Sequence, residues 1–322
     1  MKHCSVQKIT MKCWLLNDID MESMFKKTDS MDEFYVQLAD AVGHLPEWCE
    51  LVNILDMYIE VDNDNRDTIL YKGKRVRRPD VALCFYLGGT SFGVNVNDNL
   101  HLRILDQLQM LGTHCIQSSV QLANTSDKLK CSQILAAAGI KVPSTLLVTD
   151  AVTPFYIVEK LGLPVVVKPN DGTEGIGVRL IKTEEELKDI IEHRDKTSSL
   201  LAQQYISTSC GRDLRIAMLG DEVLYAMERD NTRNGDFRSN ISQGGTVHVF
   251  TPPADALELA RKAMKTLGLN LCSVDLLYGE DCYYVGEVNS IPGYEHGQTY
   301  EGEDVTSRYK RLLAEYVRKV IR

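Results

Sequence analysis

The chain lacks several features that mark large classes of protein. It has nine cysteines but no Cys-x-x-Cys pair, and its seven histidines are dispersed, which argues against a zinc centre. No apolar run approaches the roughly 20 residues that a membrane-spanning helix needs, and the first ten residues lack the apolar core of a signal peptide. The odd number of cysteines, some of them in strand-like segments, indicates reduced thiols, so we expect a cytoplasmic protein.

The chain also has no excess of positive charge. The formal net charge is −9, with 36 Lys and Arg against 45 Asp and Glu, which argues against general affinity for nucleic acid or anionic membranes. An anionic substrate must therefore bind at a local basic site. The 322 residues, 44% of them hydrophobic, are enough for a large core and predict two or three lobes.

Secondary-structure patterns divide the chain into three predicted blocks. Residues 1–117 alternate between strand-like and helix-like segments, with one helix expected over 32–43. Residues 118–198 add helices, a strand that runs into glycine-rich sequence, and a helix with a capping-box start at Thr183. Residues 199–322 contain five strand-like segments, mostly joined by short turns, as in an antiparallel sheet. We therefore predict a mixed α/β (α+β) fold.

A glycine-rich segment follows an apolar strand in the middle block. The sequence LPVVVKPNDGTEGIGV runs from the strand into Lys168 and then into Gly172, Gly175 and Gly177. The spacing is neither the Gly-x-Gly-x-x-Gly of dinucleotide-binding folds nor a Walker loop, because no Gly-Lys-Ser/Thr is present. Taken alone, such a cluster favours an ordinary turn over a loop that covers phosphate. The phosphate-binding interpretation therefore depends on other parts of an ATP site.

Two strand-like segments near the C-terminus carry oxygen-bearing side chains. Glu287 and Asn289 stand two residues apart, so they point to the same face of their strand. Asp275, on the preceding strand, shares that face if the connecting loop has an odd number of residues, and takes the opposite face if the number is even. Three such side chains on one face suit Mg²⁺. A solvated sheet face is the alternative, which the apolar flanking residues disfavour.

Several motifs, in order along the chain, resemble the ATP-grasp fold and within it the RimK-like carboxylate–amine ligases. They are Lys128 in SDKLK, Lys168 before the glycines, QQYI, RDLR, GDFRSNISQGG, VDLLY and GEVNSIPG. The resemblance covers essentially the whole chain. It implies an N-terminal pre-ATP-grasp α/β domain over 1–117, a central ATP-grasp subdomain with the glycine loop over 118–198, and a C-terminal ATP-grasp subdomain with metal-binding strands over 199–322.

The resemblance also implies a role for individual residues, with ATP and Mg²⁺ as cofactors and Mn²⁺ as a substitute metal. Two lysines would bind the phosphates, the glycine loop would close over them, the QQYI segment would contact adenine and an aspartate would bind ribose. The residues expected to contact ATP are Lys128, Lys168, Gly172, Thr173, Glu174, Gly175, Ile176, Gly177, Gln203, Gln204, Tyr205, Ile206 and Asp213. The expected metal ligands are Asp275, Glu287 and Asn289. The expected catalytic residues, facing the transferred phosphate, are Arg215, Arg229 and Arg238, and those expected near the substrate are Arg238, Ser239 and Asn240.

The activity implied by the resemblance is an ATP- and Mg²⁺-dependent ligase that joins a carboxylate to an amine through an acyl phosphate. The expected amine is an amino acid such as glutamate, and the acceptor is a carboxylate on a peptide, a protein C-terminus or a small molecule. The alternatives are a macrocyclising ligase that modifies peptides, an ATP-grasp kinase that phosphorylates a hydroxyl, and a non-catalytic nucleotide-binding regulator. No nucleic-acid or membrane partner is predicted, and the oligomeric state is open, with a homo-oligomer as one option.

Overall fold

The structure is a computed structural model of the chain, and the residues that it describes fall in seven ranges. These are residues 12–17, 49–61, 68–86, 99–171, 175–239, 244–292 and 299–320. The predicted helix over 32–43 lies outside them, as do the predicted site residues Gly172, Thr173, Glu174 and Asn240. The chain divides into two compact units, Met1–Ser119 with Tyr309–Arg322, and Val120–Arg308. The division into three blocks stays a prediction.

The first unit is built on a parallel sheet with the strand order β2-β1-β6-β7. Its strands β1 and β6 are apolar runs with fully buried side chains such as Leu15, Leu16 and Leu83, which is typical of parallel strands covered on both faces. A separate antiparallel sheet has the order β3-β4-β5. The elements are β1 (Cys13–Asn17), β2 (Cys49–Asn53), β3 (Met57–Tyr58), β4 (Thr68–Tyr71), β5 (Lys74–Arg77), β6 (Val81–Tyr86), α1 (Leu100–Met110) and β7 (His114–Ile116).

The second unit contains two antiparallel sheets, and the first has the order β10-β9-β11-β8. Because strand residues alternate between faces, Val165, Val167 and Ala202 pack against helices α4 and α5, while Val166 and Lys168 point to the other face. The elements are α2 (Ser119–Ser126), α3 (Lys128–Ala137), β8 (Thr145–Leu147), α4 (Pro154–Leu161), β9 (Val165–Pro169), β10 (Arg179–Ile181), α5 (Glu184–His193) and β11 (Leu200–Gln204). The predicted capping box is confirmed, since Thr183 and Glu186 bond each other's backbone N–H groups.

The other sheet of this unit has the order β14-β13-β12-β15-β16 and carries a helix, α6, against β15 and β16. The predicted antiparallel pairing of the C-terminal strands is confirmed. β11 was grouped with these strands from the sequence, but it pairs with β8 and β9 in the first sheet. The elements are β12 (Arg212–Leu219), β13 (Glu222–Asp230), β14 (Thr246–Val249), α6 (Ala254–Thr266), β15 (Leu271–Tyr278), β16 (Tyr283–Asn289), β17 (Thr299–Tyr300), β18 (Glu303–Asp304) and α7 (Val305–Val320), whose residues from Tyr309 on belong to the first unit. Within the described ranges, no helix has both the length and the apolar composition needed to cross a bilayer.

Candidate active site

A pocket inside the second unit is lined by residues of both of its sheets. Most of the predicted site residues that the structure describes meet there. Those that line it are Lys128, Lys168, Gly175, Ile176, Gln203, Gln204, Tyr205, Ile206, Asp213, Arg229, Arg238, Ser239, Asp275 and Glu287. Gly177, Arg215 and Asn289 do not line it. Most of the residues singled out from the sequence therefore lie around one pocket, and their individual roles stay predictions.

The two lysines converge because the start of α3 is tied to the end of β9. The Leu129 amide donates to Asn170 Oδ1 at 2.9 Å, and the Lys128 amide lies 3.4 Å from the Asn170 carbonyl oxygen. Asn170 follows directly on β9, the strand that carries Lys168. The contact fixes the first residue of α3 near the pocket, and the Lys128 ammonium reaches Glu287 Oε1 at 3.1 Å.

Lys168 has a neutral hydrogen-bond partner. Its Nζ donates to Gln203 Oε1 at 2.9 Å, and Gln203 is a buried residue of β11. Burial lowers the pKa of Lys168 to about 8, helped by the positive charge of Lys128 and partly opposed by Glu287. An anion that entered the pocket would restore the preference for the ammonium form, so the site favours a negatively charged ligand.

The second sheet presents a network of buried ion pairs. In the sheet register Asp275 pairs with Arg215, and Asp213 pairs with Arg229. Arg215 donates to both oxygens of Asp275 at 2.8 Å, and Arg229 donates to Asp213 at 2.7 Å and to Asp275 at 2.7 Å. Ser239 Oγ adds a donor to Asp213 at 2.7 Å. The fork of each guanidinium fits a carboxylate, so the network fixes the positions of both acids.

The two arginines control the protonation of Asp275. Burial alone would raise the pKa of this carboxyl group, but the charges and N–H donors of Arg215 and Arg229 outweigh it and lower the pKa to about 2. Asp275 is therefore ionised at any physiological pH. A carboxylate is the form that a divalent cation binds.

The relation between Asp275 and Glu287 corrects the parity argument made from the sequence. The loop between β15 and β16 has four residues, 279–282, and an even number predicted opposite faces. The structure instead pairs Asp275 directly with Glu287, because the ladder skips Gly286 in a β-bulge. An added Cβ at Gly286 would lie 3.0 Å from Leu277 Cγ, so the position favours glycine. A glycine inside a strand pattern was the sequence signal for this bulge.

The donor set on this face fits Mg²⁺. Asp275 and Glu287 share the face, and Asn289, which pairs with Ser273 in the ladder, follows two residues after Glu287. The Nδ2 atom of Asn289 is buried without a hydrogen-bond partner in the described structure, and so is Ser273 Oγ. The carboxamide of Asn289 can supply an oxygen to a cation, and two carboxylates with an amide oxygen are hard ligands. No group of three His, Cys, Asp or Glu residues suited to a metal occurs in the described parts of the chain.

Arg238 connects two segments of the pocket. Its Nε and Nη2 donate to Asp236 at 3.0 and 2.7 Å, and its Nη1 donates to the Gly175 carbonyl oxygen at 3.1 Å. Phe237, beside it, meets the ring of Tyr205 at a centroid distance of 6.3 Å in an edge-to-face arrangement. Arg238 therefore links Gly175 of the glycine loop to the segment that carries Phe237.

Comparison with known proteins shows the family of this chain. Residues 125–313 match the family described as the RimK-like ATP-grasp domain. The chain belongs to this family. A ribosomal protein bS6–L-glutamate ligase of Shigella boydii is 33% identical over 283 residues, which cover 85% of this chain and 88% of that protein. A probable alpha-L-glutamate ligase of Shewanella loihica is 31% identical over 285 residues, covering 88% and 89%.

Solved structures share the ATP-grasp fold. The ATP-grasp ligase PsnB, complexed with a minimal precursor, superposes with a TM-score of 0.66 at 19% identity, covering 96% of this chain and all of PsnB. The D-alanine–D-alanine ligase of Bacillus anthracis, complexed with ATP, gives a TM-score of 0.62 at 18% identity, covering 96% and 98%. The predicted ATP-grasp fold and the RimK-like resemblance are thus confirmed, and the chain is an ATP-grasp ligase.

Some pocket residues of this RimK-like chain were missed from the sequence. Arg212, Phe237 and Gly286 line the pocket but were assigned no role. Arg212 lies under the ring of Tyr278, with its guanidinium carbon 5.3 Å from the ring centroid. All three lie inside motifs of the family resemblance, Arg212 in RDLR, Phe237 in GDFRSNISQGG and Gly286 in GEVNSIPG, so their position beside predicted site residues was the available signal.

Proposed function

We propose that this RimK-like ligase uses ATP and Mg²⁺ to join the amino group of an amino acid, with glutamate as the first candidate, to a carboxylate on a peptide or protein. The proposal depends on one observation: Lys128 and Lys168 line the same pocket as Asp275 and Glu287, which lie opposite each other on neighbouring strands. Support for glutamate and for a protein acceptor comes from the relatives, which are named as glutamate ligases, one of them for ribosomal protein bS6.

The lysines are proposed to bind the phosphates of ATP. Lys168 is bonded to a neutral amide, so its positive charge is available to an incoming anion. Lys128 is paired with Glu287 at 3.1 Å and can exchange this contact for a phosphate oxygen. An ammonium group makes point-charge contacts of this kind without strict angular demands.

The metal is proposed to be held by Asp275, Glu287 and Asn289. When bound, Mg²⁺ supplies positive charge that neutralises the phosphate oxygens during transfer. Arg215 and Arg229 keep Asp275 ionised and fix its position for this role. Release of Glu287 from Lys128 would free the second carboxylate.

The adenosine part of ATP is proposed to bind along the end of β11. Gln204, Tyr205 and Ile206 line the pocket there. The backbone N–H of Gln204 already donates to the Ser144 carbonyl oxygen at 2.8 Å. A contact between Asp213 and ribose stays a prediction. Its carboxylate is engaged by Arg229 and Ser239, which supports an additional role in anchoring Arg229.

The chemistry follows from the charge that the reaction develops. Transfer of the γ-phosphoryl group turns the unreactive carboxylate into an acyl phosphate, and the amine then displaces phosphate to form the amide. Both steps place negative charge on phosphate oxygens, which Lys128, Lys168 and the guanidinium of Arg238 can stabilise in the pocket. Exclusion of water protects the acyl phosphate from hydrolysis.

Hydroxylamine trapping tests the ligase activity. The protein is incubated with ATP, Mg²⁺, hydroxylamine and a panel of peptides, each with a free C-terminus and in a C-terminally amidated form that also lacks side-chain carboxylates. We expect ADP, phosphate and a hydroxamate only with the free carboxylates, and a glutamylated peptide when glutamate replaces hydroxylamine. A stable phosphoester without free phosphate would identify a kinase, and no ADP release with any carboxylate would also overturn the proposal.

A further inference from the structure

A chain of hydrogen bonds lies behind Lys168. Thr145 Oγ1 donates to the Pro143 carbonyl oxygen at 2.9 Å. Gln203 Nε2 donates to Thr145 Oγ1 at 2.9 Å, and Lys168 Nζ donates to Gln203 Oε1 at 2.9 Å. Three side chains from three strands therefore connect a fixed backbone carbonyl to the ammonium group in the pocket.

The sheet register places these residues together. Gln203 on β11 pairs directly with Thr145 on β8, and on its other side with Val166 on β9, two residues before Lys168. Thr145, Gln203 and Lys168 therefore share the face that is opposite to the helix-packed face of Val165 and Ala202. Gln203 is only 6% exposed, so its amide groups must find their partners inside the protein.

Thr145 determines which way the Gln203 amide points. The hydroxyl hydrogen of Thr145 is used by the Pro143 carbonyl oxygen, so the hydroxyl presents only an acceptor to Gln203. The amide nitrogen must then face Thr145, and the amide oxygen must face Lys168. A flipped amide would oppose its N–H donors to the ammonium group and would also leave Thr145 Oγ1 without a donor.

The partner of Lys168 is also neutral. A carboxylate at position 203 would form an ion pair with the ammonium and cancel part of its attraction for an anion, whereas the amide of Gln203 orients it without changing its charge. The other charged groups that act on Lys168 are Glu287 and Lys128, which are paired with each other at 3.1 Å. Gln203 is thus the hydrogen-bond partner that fixes the direction of the ammonium group.

We propose that Thr145 is a positioning residue that acts through Gln203 to aim the Lys168 ammonium at the phosphates of the nucleotide. This inference rests on the proposed function, since it requires a nucleotide in the pocket. Gln203 is accordingly assigned to Lys168 rather than to direct contact with the nucleotide. Thr145 itself does not line the pocket.

Nucleotide binding measured by calorimetry tests the inference, with ADP and adenosine as paired probes. Thr145→Val keeps the shape of the side chain but removes the acceptor for Gln203. We expect it to weaken ADP binding about five- to tenfold, as for the loss of one oriented hydrogen bond, with adenosine binding unchanged. Thr145→Ser restores the hydroxyl group and should restore ADP affinity.

Two further variants separate positioning from packing. In a Lys168→Met background, Thr145→Val should have no additional effect on ADP binding, because the group that it positions is absent. Gln203→Glu should also weaken ADP binding, since it adds negative charge beside the phosphate site.

Equal losses of ADP and adenosine affinity in Thr145→Val would show a packing effect and overturn the inference, and so would unchanged ADP binding in that variant. A wild-type protein that binds neither ADP nor adenosine, or a Lys168→Met variant that binds ADP normally, would instead overturn the proposed function. The two failures are therefore distinguishable.

Discussion

The two sheets that line the pocket differ in the partners that they give to a buried charged group, and therefore in the pKa of that group. On the first sheet, Lys168 has a neutral amide as its hydrogen-bond partner, and burial lowers its pKa to about 8. On the second sheet, burial acts against the ionised form of Asp275, but Arg215 and Arg229 lower its pKa to about 2. Burial disfavours charge on both sheets, and the partners decide the outcome. The first sheet keeps a charge available to a ligand, and the second holds its charges in fixed positions.

The strongest test of this contrast removes one partner from the ion-pair network. Arg229 is 4% exposed and bonds both Asp213 and Asp275, so Arg229→Leu leaves two buried carboxylates without their shared cation. We expect the free energy of unfolding to fall by about 3–5 kcal/mol, measured by chemical denaturation.

Arg233→Leu is the matched control, because Arg233 is exposed in a short turn, and it should change stability by less than about 0.5 kcal/mol. Equal stability of the Arg229 and Arg233 variants would mean that the network does not fix the second sheet.

Loss of a proposed metal ligand should affect turnover but not folding. Glu287 is partly exposed and is paired with Lys128, so Glu287→Ala should fold normally and lose at least about 100-fold in ATP-dependent turnover. ADP release measures the activity, and thermal unfolding checks the fold. Glu280→Ala removes an exposed carboxylate from the loop of the same hairpin and should keep full activity. Undiminished turnover in Glu287→Ala would refute the metal assignment.

The availability of the Lys168 charge predicts a pH dependence of ADP binding. The pKa of Lys168 is about 8 in the free protein, and contact with phosphate raises it, because the anion stabilises the ammonium. Affinity is therefore fully present below pH 8 and falls as pH rises through the free-state pKa, approaching about tenfold per pH unit. Calorimetry across this range measures it. Lys168→Met should bind weakly with this limb of the profile absent, and an identical profile in that variant would assign the titration to another group.

The smallest expected effect concerns the bulge that aligns the two acids. An added Cβ at Gly286 would lie 3.0 and 3.3 Å from side-chain carbons of Leu277, so Gly286→Ala overpacks the second sheet. We expect stability to fall by about 1–2 kcal/mol in denaturation experiments. Combining it with Leu277→Val should recover part of the loss. A double variant that is as destabilised as the sum of the two single variants would show that Leu277 is not the obstacle.

Much of the local structure could be predicted because its causes are local. The capping box at Thr183 depends on a residue three positions away, and the shared face of Glu287 and Asn289 depends on strand alternation alone. The ATP-grasp fold followed from motifs in order along the chain, and the family match confirms it. The loop-parity argument failed because one extra residue, Gly286, reverses the alternation of a strand.

Interactions between distant strands could not be predicted in the same way. The family resemblance implied that Asp213 binds ribose, but nothing in the sequence showed the bonds from Arg229 and Ser239. The sequence also did not show that β11 pairs with β8 and β9 rather than with the C-terminal strands. Such pairings depend on the register of strands that are far apart in the chain, and a shift of one residue exchanges every partner.

The order of residues along the chain was enough to show which residue types this protein could bring to a site: a lysine at the end of an apolar strand, a second at a helix start, and acids on C-terminal strands. Which of these charges are paired depends on the folded structure. Lys168 is bonded to the neutral Gln203, whereas Asp275 is bonded to two arginines, because strand register sets the distances between these groups. Burial then strengthens the electrostatic interaction at a given distance.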